Sequence, residues 1–220
     1  MKKIMFNDKY GLTDAVLQGR KTMTRRICKE YATKQPILSR DVESFRFYPD
    51  ENIVEFLMKD GTTKVSVPPY KINEVVAVAQ SYKDLKLSYI PHIDEPDFKT
   101  CTKHAPQWGN PRGMKGWSNK MFVRPDLMPH QIRITDVKVK RLQDISDEDC
   151  LKEGIQEYFP YIDRDPTDKV RTFRYFKDGK IRHCISPASK CFAYLIDDVS
   201  GKGTWESGPW VFEYSFELCK

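Results

Sequence analysis

Residues 19–26 read Gly-Arg-Lys-Thr-Met-Thr-Arg-Arg and place two hydroxyl groups and four cationic side chains within eight positions. They follow a segment in which Leu12, Ala15 and Val16 share one face of a predicted helix, and Gly19 suits the left-handed position that ends a helix. Cations at this density repel one another unless an anion lies among them, and a phosphate, a carboxylate or a developing oxyanion would serve. The stretch is therefore either an anion-binding turn or a solvated basic turn.

The composition is typical of a globular protein. With 220 residues and 40% hydrophobic content the chain can bury a substantial core, and we expect one domain over residues 1–220. No segment reads as a transmembrane helix, and the N-terminus becomes polar before a signal region could form, so we expect a cytoplasmic protein. The six cysteines show no CxxC spacing and are expected to be reduced thiols. A net charge of +6 favours an anionic partner.

The first half of the chain predicts short strands. Residues 45–48, 53–57 and 62–67 read as short strands, and the Asp-Gly pair at 60–61 indicates a tight hairpin turn between the last two. The continuous apolar run at 75–79 predicts a strand that is buried on both faces and central in its sheet.

The segment 132–155 predicts a strand followed by a short helix. Its apolar residues change phase near 135–136, so a continuous strand requires a β-bulge there. Ser146 can cap the helix and Gly154 can end it, which leaves Glu153 in the last turn. A carboxylate at that end opposes the helix dipole, so Glu153 is either a tolerated exposed residue or one retained for a function.

The C-terminal part predicts more β-structure. A second hairpin is expected around the Asp-Gly pair at 178–179, a helix after Pro187, and a half-buried strand over 210–217. Many short strands with few short helices predict a mainly β chain of the α+β class, in the form of a small β-barrel with helical plugs.

Two insertions are predicted, at about 83–125 and 156–190. Residues 99–124 contain six Lys or Arg, no Asp or Glu, and the indole rings of Trp108 and Trp117. Cations pair with phosphates while bases stack on indole rings, so this mixture suits single-stranded RNA. Alternatively, the tryptophans fill the core and the cations are merely solvated.

With these elements located, the chain resembles the ASCH family of the PUA-like superfamily. The resemblance rests on residues 19–26, 73–82 and 132–155 and on the strand that begins at Pro209, in the order seen in the longer, phage-associated members. It implies a small PUA-like β-barrel with short flanking helices that binds RNA or a modified nucleoside. Where those members commonly read Gly-Asp and then Arg-Glu-Thr-Trp, this chain has Asn73-Glu74 and Ala79-Gln80-Ser81-Tyr82. If the family's Arg-Glu pair lines the pocket, the resemblance implies a shifted ligand preference.

Some small ASCH proteins are amidohydrolases that remove the acetyl group of N4-acetylcytidine, and their catalytic Lys, Thr and Glu correspond to Lys21, Thr24 and Glu153. Thr24 would attack the amide or position a water, and Glu153 would carry a proton to the departing nitrogen. Lys21 can act as the base only if burial or nearby cations lower its pKa. Lys21 and Thr24 point to opposite faces of an ideal strand, so a shared site requires a turn between them. The alternative is an ordinary ion pair between Lys21 and Glu153.

The resemblance and the charge pattern together predict a ligand site. Its expected members are the catalytic candidates and the ligand-binding residues Arg20, Thr22, Arg25, Arg26, Trp108 and Trp117. RNA, a nucleoside or a nucleotide is the expected partner. A non-catalytic RNA-binding module and a phage-related protein-interaction domain are the alternatives. No metal and no cofactor are predicted, because the cysteines and histidines do not assemble a four-ligand pattern.

Overall fold

A computed structural model describes residues 1–85, 115–158, 171–185 and 187–219. Over these residues the fold is mainly β with a few short helices, in agreement with the predicted α+β class. Trp108 and large parts of both predicted insertions lie outside the described residues. None of the helices in these ranges is long and apolar enough to span a lipid bilayer.

Short strands dominate the described residues. The strands are β1 (Lys3–Ile4), β2 (Met23–Ile27), β3 (Val42–Tyr48), β4 (Ile53–Met58), β5 (Thr63–Ser66), β6 (Val75–Val78), β7 (Gln131–Arg141), β8 (Gln156–Tyr158), β9 (Thr172–Lys177), β10 (Lys180–Ile185) and β11 (Trp210–Cys219). The α-helices are α1 (Leu12–Leu17), α2 (Asp147–Lys152), α3 (Ala188–Ser200) and α4 (Thr204–Ser207). Single 3₁₀ turns occupy Asp8–Tyr10, Ser39–Asp41, Lys120–Phe122 and Pro125–Leu127.

The largest sheet has five strands in the order β1-β6-β7-β11-β2. Only β1 and β6 run parallel, and the other neighbours are antiparallel. β6 is buried on both faces as predicted, but β7 rather than β6 takes the central position. In the described parts of the chain no hydrogen-bonded pairing joins β1 to β2, so the sheet is open and the predicted barrel is not confirmed.

The predicted β-bulge is present in β7. Ser215 of β11 pairs with Asp136, whereas the next residue, Phe216, pairs with Ile134, so Thr135 is the extra residue. The bulge lets apolar side chains on both sides of it, among them Ile134 and Val137, point into one core despite their change of phase.

The prediction that β11 is half-buried is wrong for its first half. The apolar residues Trp210, Phe212, Tyr214 and Phe216 alternate with Val211 and Glu213, which a half-buried strand would turn to solvent, but Val211 and Glu213 are 0% and 3% exposed. The reason is that α2 and α3 cover this face of the sheet. The guanidinium of Arg25 in the adjacent β2 contacts Asp149 of α2 and lies 6.0 Å from the ring centroid of Phe192 in α3.

Two three-stranded sheets complete the β-structure, in the orders β3-β4-β5 and β10-β9-β8. Both predicted hairpins are confirmed, with Gly61 and Gly179 at φ of +81° and +72° in the turns. Buried apolar side chains from all three sheets form one continuous core.

The helices next to residues 19–26 follow the predicted caps. α1 buries Leu12, Ala15 and Val16, and Gly19 follows with φ of +70°. In α2 the Ser146 hydroxyl accepts a hydrogen bond from the Asp149 backbone N–H at 3.1 Å, and Gly154 follows with φ of +104°. Glu153 is therefore held at the C-terminal end of α2.

Gly154→Ala is expected to destabilise the chain more than Gly179→Ala. Both positions have positive φ, where an L side chain costs about 1–2 kcal/mol. A Cβ at Gly154 would also lie 3.2 Å from Leu12 Cδ2, whereas nothing lies within 4 Å of one at Gly179. Urea-induced unfolding of both variants gives the two free energies. Equal decreases in the free energy of unfolding of the two variants would contradict the expected cost of the close contact with Leu12.

Candidate functional site

Lys21 lies in the turn between α1 and β2, because its backbone N–H donates to the Ala15 carbonyl at 2.9 Å and β2 begins only at Met23. Its ammonium points into the protein. Nζ donates to Glu153 Oε2 at 2.6 Å and to the Glu153 carbonyl at 2.7 Å, and the two side chains are 2% and 5% exposed. The turn provides the change of direction that a site shared by Lys21 and Thr24 requires.

Arg25 is the centre of the charged contacts in this region. Its Nη1 lies 3.2 Å from Glu153 Oε1, and its Nη2 lies 3.2 Å from Asp149 Oδ2 and also contacts Glu213 Oε2. Glu213 is placed there by strand register, since it pairs directly with Arg25 across β2 and β11. Lys140 Nζ lies 3.0 Å from the other Glu213 oxygen. We call Lys21, Arg25, Lys140, Asp149, Glu153 and Glu213 the buried ion cluster.

The buried ion cluster contains three cations and three carboxylates. Lys140 is its most exposed member, with 35% of its side chain exposed, and Lys152 outside the cluster also lies 3.4 Å from Asp149. Removing charges from water costs several kcal/mol per ion, and the cost is offset only where partners and hydrogen bonds are well placed. Replacing a buried ion pair by apolar residues is often neutral or stabilising. The cluster is therefore not explained by stability alone.

The pKa of Lys21 is lowered from its ordinary value of 10.5. Burial is the largest cause, because it penalises the charged ammonium. The Glu153 carboxylate opposes this shift, while the nearby positive charges of Arg26 and Arg25 add to it. The amine of Lys21 therefore reaches its neutral form more easily than an exposed lysine does.

An open pocket of about 750 Å³ lies beside Lys21, Arg25 and Glu153 of the buried ion cluster. Its volume is within the range of roughly 300–1,000 Å³ that small-molecule sites occupy. Thr24 lines the pocket, and its hydroxyl makes no hydrogen bond within the described ranges. The lining residues are Met5, Phe6, Asn7, Asp8, Lys9, Leu12, Lys21, Thr24, Arg25, Arg26, Ile27, Lys29, Lys120, Glu153, Phe192, Leu195, Ile196, Val199 and Ser200. The three candidate catalytic residues thus share one pocket.

The predicted ligand-binding residues are divided between different places. Arg25 and Arg26 line the pocket, but Arg20 and Thr22 do not. Arg20 is exposed, and its Nε donates to Gln18 Oε1 at 2.9 Å. Thr22 is half-buried, and its backbone N–H donates to the Lys152 carbonyl at 3.0 Å.

Trp117 packs against a second, smaller apolar cluster and does not line the pocket. This gives the indole ring a packing contact, and its stacking on a base stays a prediction. Trp108 lies outside the described residues. The cluster that Trp117 contacts contains Ala77, Ala79, Tyr82, Val123 and Met128.

Sequence reasoning missed two kinds of site residue. Glu213 occupies a position of β11 that alternation assigns to solvent, and only the pairing of β11 with β2 shows that it faces Arg25. Phe6 and Phe192 reach the pocket from distant parts of the chain. β11 contains two charged residues, Glu213 and Glu217, and no local signal distinguishes the buried one.

No protein-family model, curated protein or solved structure matches this chain. The resemblance to the ASCH family therefore stays an expectation. Among the residues that the structure describes, no group of three or more His, Cys, Asp or Glu side chains is arranged to hold a metal ion.

Lys21→Met is expected to change how stability depends on pH. Between the lowered folded-state pKa and 10.5, unfolded chains bind the Lys21 proton and folded chains do not, so the free energy of unfolding rises with pH. The slope from this group reaches about 1.4 kcal/mol per pH unit and vanishes below the folded-state pKa, where both states are protonated. Lys21→Met lacks this contribution.

Urea-induced unfolding at a series of alkaline pH values measures the effect as the difference between wild type and Lys21→Met. Lys59→Met, which removes an exposed lysine, is the control and should follow the wild type. A difference between wild type and Lys21→Met that stays constant with pH would contradict the lowered pKa.

Proposed function

We propose that this pocket binds RNA or a modified nucleoside or nucleotide and hydrolyses an amide on its pyrimidine, such as that of N4-acetylcytidine. The observation that carries the proposal is the buried amine of Lys21, which is hydrogen-bonded to Glu153 at 2.6 Å on the wall that also presents Thr24. A base, an acid and a hydroxyl are the groups that amide hydrolysis requires.

The proposal includes the PUA-like barrel that the resemblance implies. It is supported by how the two outer strands of the five-stranded sheet lie around the pocket. Residues just after β1 and residues of β2 both line it, and Arg26 Nη2 donates to the Met5 carbonyl at 2.7 Å to link them. The ligand would therefore lie where the two edges of the sheet approach each other.

The proton balance of the reaction follows from the Lys21 and Glu153 pair. Transfer of one proton across their hydrogen bond gives a neutral amine and a neutral carboxyl without changing the total charge. Lys21 then takes the proton of Thr24 or of a water as its oxygen bonds to the amide carbon. Glu153 gives its proton to the nitrogen as the C–N bond breaks, which restores the ion pair. If Thr24 attacks, water hydrolyses the resulting ester in a second step.

A non-catalytic binding role is the second candidate. It is favoured by the contacts of Glu153 with Arg25 at 3.2 Å and with Lys21 at 2.6 Å, because a carboxylate held between two cations is also the arrangement of a structural ion pair. In that case the pocket would bind an RNA segment or nucleotide without turnover.

Glu153→Gln is expected to abolish hydrolysis of N4-acetylcytidine, measured as cytidine released by wild type and variant. The amide cannot carry a proton between Lys21 and the leaving nitrogen, so a loss of about 10²-fold or more is expected. Thr24→Val removes the hydroxyl at nearly unchanged volume and should lose activity as well.

Glu213→Gln is the matched control. It also removes a buried carboxylate paired with Arg25, but Glu213 does not line the pocket. Unfolding free energies are measured for both variants. Similar stability losses with activity lost only in Glu153→Gln support hydrolysis. Activity that falls in parallel with stability in both variants would favour a structural ion pair, and no release of cytidine by wild type would exclude this reaction.

A further inference from the structure

The pocket carries more positive charge than its own carboxylates neutralise. Six cationic side chains and two carboxylates line it. Four of these cations have carboxylate partners, namely Lys21 and Arg25 with Glu153, Lys120 with Asp8, and Lys9 with Asp178. Arg26 and Lys29 have no carboxylate partner within the described ranges. We call these two residues the anion subsite.

Arg26 has unused hydrogen-bond donors. Its side chain offers five N–H groups, of which Nη2 donates to the Met5 carbonyl at 2.7 Å. Its Nε is buried and has no hydrogen-bond partner among the described residues. Buried polar groups are normally hydrogen-bonded, and Arg25 Nε in the same pocket wall is likewise without a partner among the described residues, so the unused donors of Arg26 leave it able to bind a further acceptor.

The anion subsite lies close to the candidate catalytic groups. Lys29 is exposed, follows Arg26 by three positions and lines the same pocket. The Phe6 ring centroid lies 5.9 Å from Lys21 Nζ and 5.9 Å from Arg26 Cζ, so these two cations share one aromatic neighbour. Lys21 and Arg26 are therefore close enough together for one small ligand to contact both.

The geometry points to a phosphate group at the anion subsite, so that the pocket takes a phosphorylated pyrimidine rather than a neutral nucleoside. This inference rests on the proposed function, which allows either a neutral nucleoside or a phosphorylated one as the ligand. A phosphate presents several acceptor oxygens to the planar fork of a guanidinium, and Lys29 adds a second positive charge. With its base near Lys21 and Thr24, a nucleotide would place its phosphate toward Arg26 and Lys29.

Calorimetric titration of the wild-type chain with unmodified probes tests the subsite separately from hydrolysis. The probes are cytidine, cytidine 5′-monophosphate, inorganic phosphate and a short oligocytidylate without terminal phosphates. We expect the monophosphate to bind about tenfold or more tightly than cytidine, since hydrogen bonds to charged groups are worth this factor or more. Tighter binding of the oligocytidylate than of the monophosphate would identify an RNA phosphodiester, and the reverse a nucleotide.

The variants Arg26→Gln and Lys29→Gln test which residues hold the phosphate. Each should reduce the preference for the monophosphate over cytidine, Arg26→Gln about tenfold. Lys29→Gln alters an exposed side chain and keeps the test valid if Arg26→Gln folds poorly. Lys59→Gln removes an exposed lysine that does not line the pocket and should leave the preference unchanged.

Equal binding of cytidine and its monophosphate, a preference unaffected by both variants, or no binding of any probe would overturn the inference. Hydrolysis is measured independently on N4-acetylcytidine and its 5′-monophosphate. Equal turnover of both substrates keeps the proposed function and rejects the subsite. Binding of the monophosphate without turnover of either substrate keeps the subsite and rejects hydrolysis.

Discussion

The guanidinium of Arg25 lies among three carboxylates, and the arrangement of the site depends on these contacts. Through Glu213 they join β2 to β11, and through Asp149 and Glu153 they join β2 to α2 and the residue that follows it. The Arg25 contact fixes one oxygen of Glu153, and the other oxygen is then directed at Lys21. A single buried cation thus determines where the Lys21 and Glu153 pair meets the pocket.

Burial changes the acid–base behaviour of Lys21. An exposed lysine keeps its proton at neutral pH and forms only a weak, solvent-screened ion pair. Lys21 is removed from water, its pKa is lowered, and one carboxylate partner lies within hydrogen-bond distance. The same burial that costs stability therefore favours the neutral amine that the proposed reaction needs. Arg26 and Lys29, which have no carboxylate partner in the described part of the chain, also line the pocket.

Local features of the fold could be predicted from the sequence because local chemistry determines them. The phase change around Thr135 required a bulge, the Asp-Gly pairs required tight turns, and Gly154 marked the end of α2. Lys21 and Glu153 could be paired only through the resemblance, which gave them either a catalytic role or an ion pair. The contact is present, and their chemical role stays a proposal.

Long-range features could not be predicted in the same way. The partner of Arg25 depends on the register between β2 and β11, which are separated by most of the chain, and alternation alone placed Glu213 in solvent. The packing of α2 and α3 over this face of β11 likewise depends on tertiary structure. Closure of a barrel depends on how strongly the whole sheet curves, and no short segment specifies that curvature.

Nitrogen NMR of the Lys21 side chain, followed through a pH titration of the folded protein, tests the central claim most directly. The account predicts that Lys21 titrates below 10.5, and that Glu153→Gln lowers its pKa further because the carboxylate stabilises the ammonium. Titration of Lys21 at or above 10.5 would contradict the account, since a fully retained ammonium could not serve as the base.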